Sequence, residues 1–215
     1  MKIEIIPSIQ TADIANINEE LKKAEPYCKT FQIDVEDGIF VKETTPYTPE
    51  WLKKVKTRLG KEVHLMVAEP GKMFKAYKDA GATAIIFHIE VGPTEDLLQQ
   101  LKKLKLKSGI ALNPDTPVER VLPYINKVNK IVVMTVFPGK GGQEYIPDAL
   151  SKVSVLRKAA PNLDIEVDGG IKGAIIKDAI QAGANNLVIG SGIYNENTVA
   201  ENMKKIIRYA NDVKL

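Results

Sequence analysis

The sequence predicts an α/β protein folded as a single (β/α)8 TIM barrel. Two observations point to it. Short, nearly continuous apolar runs rich in Ile and Val alternate with longer segments of helical spacing, as expected of parallel strands covered on both faces. The alternation repeats eight times without a composition break, linker or low-complexity stretch, so one barrel domain is expected over residues 1–215. An open doubly wound sheet of fewer strands is the alternative.

The strand-like runs fall at residues 3–6, 31–35, 63–66, 84–87, 108–112, 131–136, 165–167 and 187–189. Between them, Ile14, Ile17, Leu21 and Ala24 share one helical face, as do Leu97, Leu101 and Leu104. The last helix is the clearest, with Val199, Met203, Ile206, Ile207 and Ala210. Turn chemistry punctuates the segments at Pro70-Gly71, Pro114-Asp115, Pro138-Gly139 and Pro161-Asn162. Ala80-Gly81-Ala82 before the fourth strand is echoed by Ala182-Gly183-Ala184 before the eighth. Each predicts a helix closed by a glycine cap before a buried strand.

Composition narrows the function classes. Thirty Lys and Arg against twenty-seven Asp and Glu leave a charge of +3, evenly spread, so a nucleic-acid partner is not expected. The single cysteine, Cys28, excludes an intrachain disulfide and agrees with a reducing compartment. No apolar run is long enough to span a bilayer, and the N-terminal residues lack signal-peptide features, so a cytoplasmic protein is expected, without a membrane partner.

In a closed parallel barrel, alternate strand residues point inward, and sites form at the C-terminal strand ends. This parity turns Gln32, Asp34, His64, Glu166 and Asp168 into the barrel. Buried carboxylates must be paired, protonated or bound to a cation, so Asp34 and Asp168 need partners inside. Strands two and seven face each other across the mouth. A small substrate between them meets one carboxylate on each side, which suits removing a proton from one face of a carbon and returning one to the other. His64 converges with the two aspartates, whereas His88 admits both a structural and a functional reading.

Glycines follow the last strands: Gly169-Gly170 after strand seven, and Gly190-Ser191-Gly192 after strand eight. Backbone N–H groups at these ends of such barrels hold phosphate, and glycine lets them approach closely. A third glycine segment after strand six, with Lys140, Gly141 and Gly142, reads as a mobile lid with a cationic tip.

These residues resemble the ribulose-phosphate 3-epimerase family along nearly the whole chain. The matching segments are Pro7-Ser8-Ile9, Asp34-Val35 with Asp37-Gly38, Phe40-Val41, Val63-His64-Leu65-Met66, Ala111-Leu112-Asn113-Pro114 and Val133-Met134. Pro138-Gly139 with Gly141-Gly142-Gln143, and Glu166-Val167-Asp168-Gly169-Gly170, complete them. The resemblance implies interconversion of D-ribulose 5-phosphate and D-xylulose 5-phosphate through an enediolate, with Asp34 and Asp168 as the acid/base pair. It implies a divalent metal, zinc-like, with manganese or iron(II) as other candidates, held by Asp34, His64 and Asp168. Ser8 would bond the substrate, and Met66 and Met134 would line the pocket. Gly141, Gly142, Gly169, Gly170, Gly190 and Ser191 would surround the phosphate. A homo-oligomer is also compatible.

The departures cluster around the reacting carbon. Gln32 stands where the family has a fourth metal ligand, a histidine, and an amide oxygen is the weaker, harder ligand. Glu36 replaces a usual methionine, Gln10 a leucine, Lys42-Glu43 a Pro-Asn pair, Phe137 an asparagine and Lys140 a phenylalanine. A different ketose phosphate and a non-catalytic sugar-phosphate binder are therefore alternatives. Decarboxylation or aldol cleavage is disfavoured, because strand three reads His64-Leu65-Met66 rather than Asp-x-Lys.

Overall fold

A computed structural model describes residues 2–139, 143–195 and 198–213. Its strands are β1 (Glu4–Pro7), β2 (Thr30–Glu36), β3 (Gly60–Met66), β4 (Ala84–His88), β5 (Lys107–Leu112), β6 (Lys130–Met134), β7 (Asp164–Asp168) and β8 (Asn186–Ile189). All pairings are parallel, in the order β1-β8-β7-β6-β5-β4-β3-β2. The two ends of that sheet meet through the parallel bridge Ser8↔Gln32, which closes the barrel. The helices are α1 (Ile17–Ala24), α2 (Pro49–Lys54), α3 (Phe74–Asp79), α4 (Thr94–Lys103), α5 (Leu150–Ala159), α6 (Ala174–Ala182) and α7 (Val199–Asn211). None among the described residues is long and apolar enough to cross a membrane.

All eight expected strands form, and three details differ from expectation. First, α1 starts only at Ile17: Ile14 lies in a preceding 3-10 turn and is exposed. Second, β6 stops at Met134 rather than 136. The Thr135 hydroxyl there donates to the Asp168 carbonyl at 3.0 Å, and the chain then turns over the mouth. Third, among the described residues no α-helix joins β5 to β6. Two 3-10 turns, Val118–Arg120 and Leu122–Tyr124, take its place. Pro117 and Pro123 explain this, since each lacks an amide hydrogen. Lys152 of α5 supports the stretch, its Nζ donating to the carbonyls of Asn113, Pro114 and Thr116 at 3.0, 2.6 and 2.6 Å.

The glycine-capped entries to β4 and β8 occur as expected: Gly81 and Gly183 have φ of +92° and +112°. At Gly183, an added Cβ would lie 2.8 Å from Arg157 Cβ and Cγ. Arg157 there donates to the Gly183 carbonyl and to Asn185 Oδ1, both at 2.9 Å, tying α5 to the start of β8.

Strand alternation divides the core. Ile33, Val35, Ile85, Phe87, Ile131, Val133, Ile165 and Val167 face the helices in one continuous apolar layer. Inside the barrel, the buried apolar residues Ile86, Ala111, Val132 and Met134 form a separate, small cluster. The rest of the interior mixes apolar side chains such as Ile6, Met66 and Val188 with polar ones. Near its N-terminal end, Lys130 Nζ lies 2.7 Å from Glu62 Oε2 and 2.6 Å from Glu166 Oε2, all three side chains being buried. Burial, and then Glu62, push the Glu166 carboxyl upward. Removing the lysine would leave two buried carboxylates without a cation. Lys130→Met is therefore expected to cost about 3–5 kcal/mol of unfolding free energy, read from urea midpoints.

Candidate active site

The mouth of the barrel is built by the inward positions at the strand ends. β2 presents Gln32, Asp34 and Glu36; its neighbour β3, in register Asp34↔His64 and Glu36↔Met66, adds His64 and Met66. β6 and β7, in register Met134↔Asp168, add Met134 and Asp168. A cavity of about 620 Å³ opens above them. Ser8, Asp34, Met66, Met134, Asp168, Gly169, Gly170, Gly190 and Ser191 line it. Gln32 and His64 lie beneath, fully buried, and reach it only through the two carboxylates. Lys140, Gly141 and Gly142 lie outside the described residues.

The two aspartates are tied together from below. Gln32 Nε2 donates to Asp34 Oδ1 at 2.7 Å and to Asp168 Oδ2 at 2.8 Å. His64 Nδ1 lies 3.2 Å from Asp34 Oδ1 and 3.4 Å from Asp168 Oδ2. Ser8 Oγ donates to the other Asp34 oxygen, Oδ2, at 2.7 Å. Burial alone would lower His64, but hydrogen bonds to Asp168 and Asp34 outweigh it and raise the imidazole to about 10. Asp168 is pushed upward, by burial first and by the charge of Asp34 as well, against the hydrogen bonds from His64 and Gln32. The arrangement thus holds one carboxyl ready to keep a proton beside another that accepts hydrogen bonds from Ser8 and Gln32.

The same residues form a possible metal-binding group. Asp34, His64 and Asp168 each offer one ligand atom, all within 4.8 Å of one another. Gln32 Oε1 is buried without a donor among the described residues.

On the opposite side, Gly169 and Gly170 have φ of +115° and +67°. A Cβ on Gly169 would lie 2.5 Å from Val136 Cγ2 and 3.0 Å from the Val136 backbone nitrogen, so only glycine fits there. Lys172, which the sequence reading did not single out, lines the cavity with them. Its only sequence signal is its place in the loop after β7. Also missed was the contact between the histidines: His64 Nε2 and His88 Nε2 are 2.9 Å apart. Strand parity turns His88, the last residue of β4, to the inward face, but the meeting itself depends on the stagger between β3 and β4.

Comparison with known proteins adds a family. The family model described as "Ribulose-phosphate 3 epimerase family" matches residues 4–194. A ribulose-phosphate 3-epimerase of Schizosaccharomyces pombe is 36% identical over 208 residues, covering 94% of this chain and 91% of that protein. The Oryza sativa protein named as the cytoplasmic isoform is 39% identical over 199 residues, 89% of this chain and 87% of its own. The Bacillus subtilis enzyme is 37% identical over 203 residues, 90% and 93% of the two chains. Among solved structures, 3-hexulose-6-phosphate synthase of Salmonella typhimurium superposes with a TM-score of 0.75 at 16% identity, covering 99% of this chain and 100% of the other. At that identity the likeness concerns the fold alone.

Glu36 sits directly above Asp34 on β2 and is buried. Its Oε1 is 3.5 Å from Gln10 Nε2. Burial, then Asp34 and Glu43, push Glu36 from 4.5 up to about 7. The fold therefore favours its protonated form. That stabilisation is fully present below pH 4.5 and is lost as pH rises through about 7. With chelator present, the protein is expected to show one glutamate carboxyl titrating near 7 by carbon-13 NMR. Glu36→Met should remove that titration and flatten the corresponding slope of stability against pH.

Proposed function

Since the chain belongs to the ribulose-phosphate 3-epimerase family, we propose that it interconverts D-ribulose 5-phosphate and D-xylulose 5-phosphate. The observation that supports this most directly is the Asp34 and Asp168 pair, on β2 and β7, lining one cavity with hydrogen bonds from a shared amide. In the proposed reaction Asp34 takes the hydrogen from carbon three as a proton. The C–H electrons move into the C2–C3 bond while the carbonyl pair moves to oxygen, giving an enediolate. Asp168, held upward by burial and by Asp34, carries the proton that is returned to the opposite face of carbon three. In the reverse direction the roles exchange. Ser8 and Gln32 orient the carboxylates, and Met66 and Met134 wall the pocket with apolar surface that excludes water.

The phosphate is proposed to lie over Gly169, Gly170, Gly190 and Ser191, with Lys172 as its cation. Gly141 and Gly142 are assigned to this cradle on the resemblance alone.

A divalent metal fits the donor set. Asp34, His64 and Asp168 are close enough to share an ion; Gln32 turns its amide nitrogen to both aspartates, so its unpartnered Oε1 would join them only with the amide turned over. When bound, such an ion supplies Lewis-acid stabilisation of the enediolate oxygen. Zinc, manganese and iron(II) all suit one imidazole with carboxylates. An amide oxygen in place of a second imidazole shifts the preference from zinc towards the harder ions.

Gln32 also motivates the reading of a non-catalytic sugar-phosphate binder. Incubation with D-ribulose 5-phosphate in heavy water separates the two. Deuterium at carbon three together with xylulose 5-phosphate is the expected result, and binding without exchange would favour the binder. Asp34→Asn and Asp168→Asn are each expected to reduce turnover by at least about 100-fold while the proteins still fold. Activity surviving either change would rule out the two-carboxylate scheme. Gln32→His should raise zinc affinity relative to manganese, measured by equilibrium dialysis. An unchanged ratio would place Gln32 outside the metal's coordination sphere.

A further inference from the structure

His88 and Glu90 touch neither the cavity nor the aspartates, yet both lie behind His64. The His64 and His88 rings are nearly coplanar, 12° apart, with centroids 5.0 Å apart. Their Nε2 atoms are separated by 2.9 Å. Two bare nitrogens at that distance would repel, and two N–H groups would clash, so one must donate and the other accept.

The surroundings of His88 decide which. Its other nitrogen, Nδ1, lies 3.3 Å from Glu90 Oε2, and the Asn113 side chain interacts with the same ring. Glu90 is fixed as an acceptor: its Oε1 receives the Asn113 backbone N–H at 2.9 Å and the Thr116 hydroxyl. Burial would raise Glu90, but the neighbouring His88 ring and the hydrogen bonds from Asn113 and Thr116 outweigh it and hold the carboxyl at about 2. His88 Nδ1 and Glu90 Oε2 are not aligned as a hydrogen bond, yet neither has another partner among the described residues, so the carboxylate calls for a hydrogen on Nδ1. Two carboxylates, Asp34 and Asp168, face Nδ1 of His64, whereas only Glu90 faces Nδ1 of His88, so the extra hydrogen is better placed on the His64 ring and Nε2 of His88 is left with a lone pair. The hydrogen between the rings therefore belongs to His64.

We propose that Glu90 and His88 form a positioning relay, which fixes the Nε2–H tautomer and the ring orientation of His64 and so directs its Nδ1 at the site between Asp34 and Asp168. The relay deepens the metal reading of the previous subsection and rests on it for its purpose. In the metal-free protein, His64 holds hydrogen on both nitrogens and pairs with the aspartates. When a metal takes Nδ1, the Nε2 bond to His88 remains and holds the ring. Partners of this kind set ligand basicity and orientation, and their loss typically lowers metal affinity about 10- to 100-fold.

The chain contains only two histidines, so nitrogen-15 histidine labelling reports these two rings alone. In the metal-free protein at neutral pH we expect His88 Nε2 as the sole unprotonated ring nitrogen, with a through-hydrogen-bond coupling to His64 Nε2. Zinc should shift His64 Nδ1 and leave that coupling in place. His88→Leu, which removes the acceptor, is expected to weaken zinc binding by about 10- to 100-fold. His88→Gln, whose amide oxygen can accept, should recover most of the loss. A bare Nε2 on His64, an absent coupling, or unchanged zinc affinity in folded His88→Leu would each overturn the relay. If His88→Leu does not fold, the wild-type spectrum and the glutamine variant still decide. Should the wild-type protein bind neither zinc nor manganese, the metal reading fails by itself, and the relay's claim on metal affinity fails with it. The coupling then tells whether the tautomer assignment stands.

Discussion

Asp34 and Asp168 receive hydrogen bonds from one amide group, and that contact constrains everything around it. Two carboxylates this close in a buried setting repel, and each loses hydration. Donors must therefore come from below, where water cannot. Gln32 supplies both hydrogens of its amide, His64 its Nδ1, and Ser8 its hydroxyl. Each comes from the inward side of a strand end, and Ser8 and Gln32 also form the bridge that closes the sheet. The seam of the barrel and the floor of the site are thus the same residues. A shift of one position between β1 and β2 would open the barrel and separate the carboxylates together.

That floor is the upper part of an unusually polar interior. Beneath it, the two carboxylates of Glu62 and Glu166 share Lys130, and one oxygen on each is buried without a partner among the described residues. The apolar layer between barrel and helices offsets this cost, because the apolar side chains inside, such as Ile6, Ile86, Val132 and Val188, share the space with these charges. The division of labour follows from strand alternation. Ile33 and Val35 face the helices and hold β2 in place, while Gln32, Asp34 and Glu36 on the same strand are free to serve the site. Stability and chemistry are therefore encoded in alternate residues of one segment rather than in separate regions.

This is also why so much was legible in the sequence. A period of two along Gln32-Ile33-Asp34-Val35 and Ile165-Glu166-Val167-Asp168 gives both the strand and its inward face, and a carboxylate on that face near the strand's end marks the mouth. The Ala-Gly-Ala echo gave the helix caps because only a left-handed residue ends those helices. What parity does not encode is contact between side chains from different strands. The Gln32 amide bridge needs the stagger between β2 and β7, and the meeting of His64 with His88 needs that between β3 and β4. The alternation of strand and helical signals predicts an ordinary helical segment between β5 and β6. Its prolines and the carbonyl contacts of Lys152 replace a helix with turns, and the lysine partner is remote in sequence.

The residues of the mouth differ in what holds them. At the start of the loop after β7, Gly169 is fixed by geometry, because any side chain would strike Val136. That packing requirement holds whether or not a ligand lies there. Gln32 and Glu36 meet their neighbours through hydrogen bonds and charge. Gln32 can satisfy both aspartates without an ion, whereas an imidazole would offer only one N–H to that side. The amide thus makes the paired carboxylates less dependent on a cation for their stability. Glu36 acts in the opposite direction by adding a third carboxyl above Asp34, and a proton held there is the simplest way for the mouth to accommodate it. The two residues act in opposite senses: the amide lowers the demand for positive charge at the floor, and the carboxyl raises it at the rim.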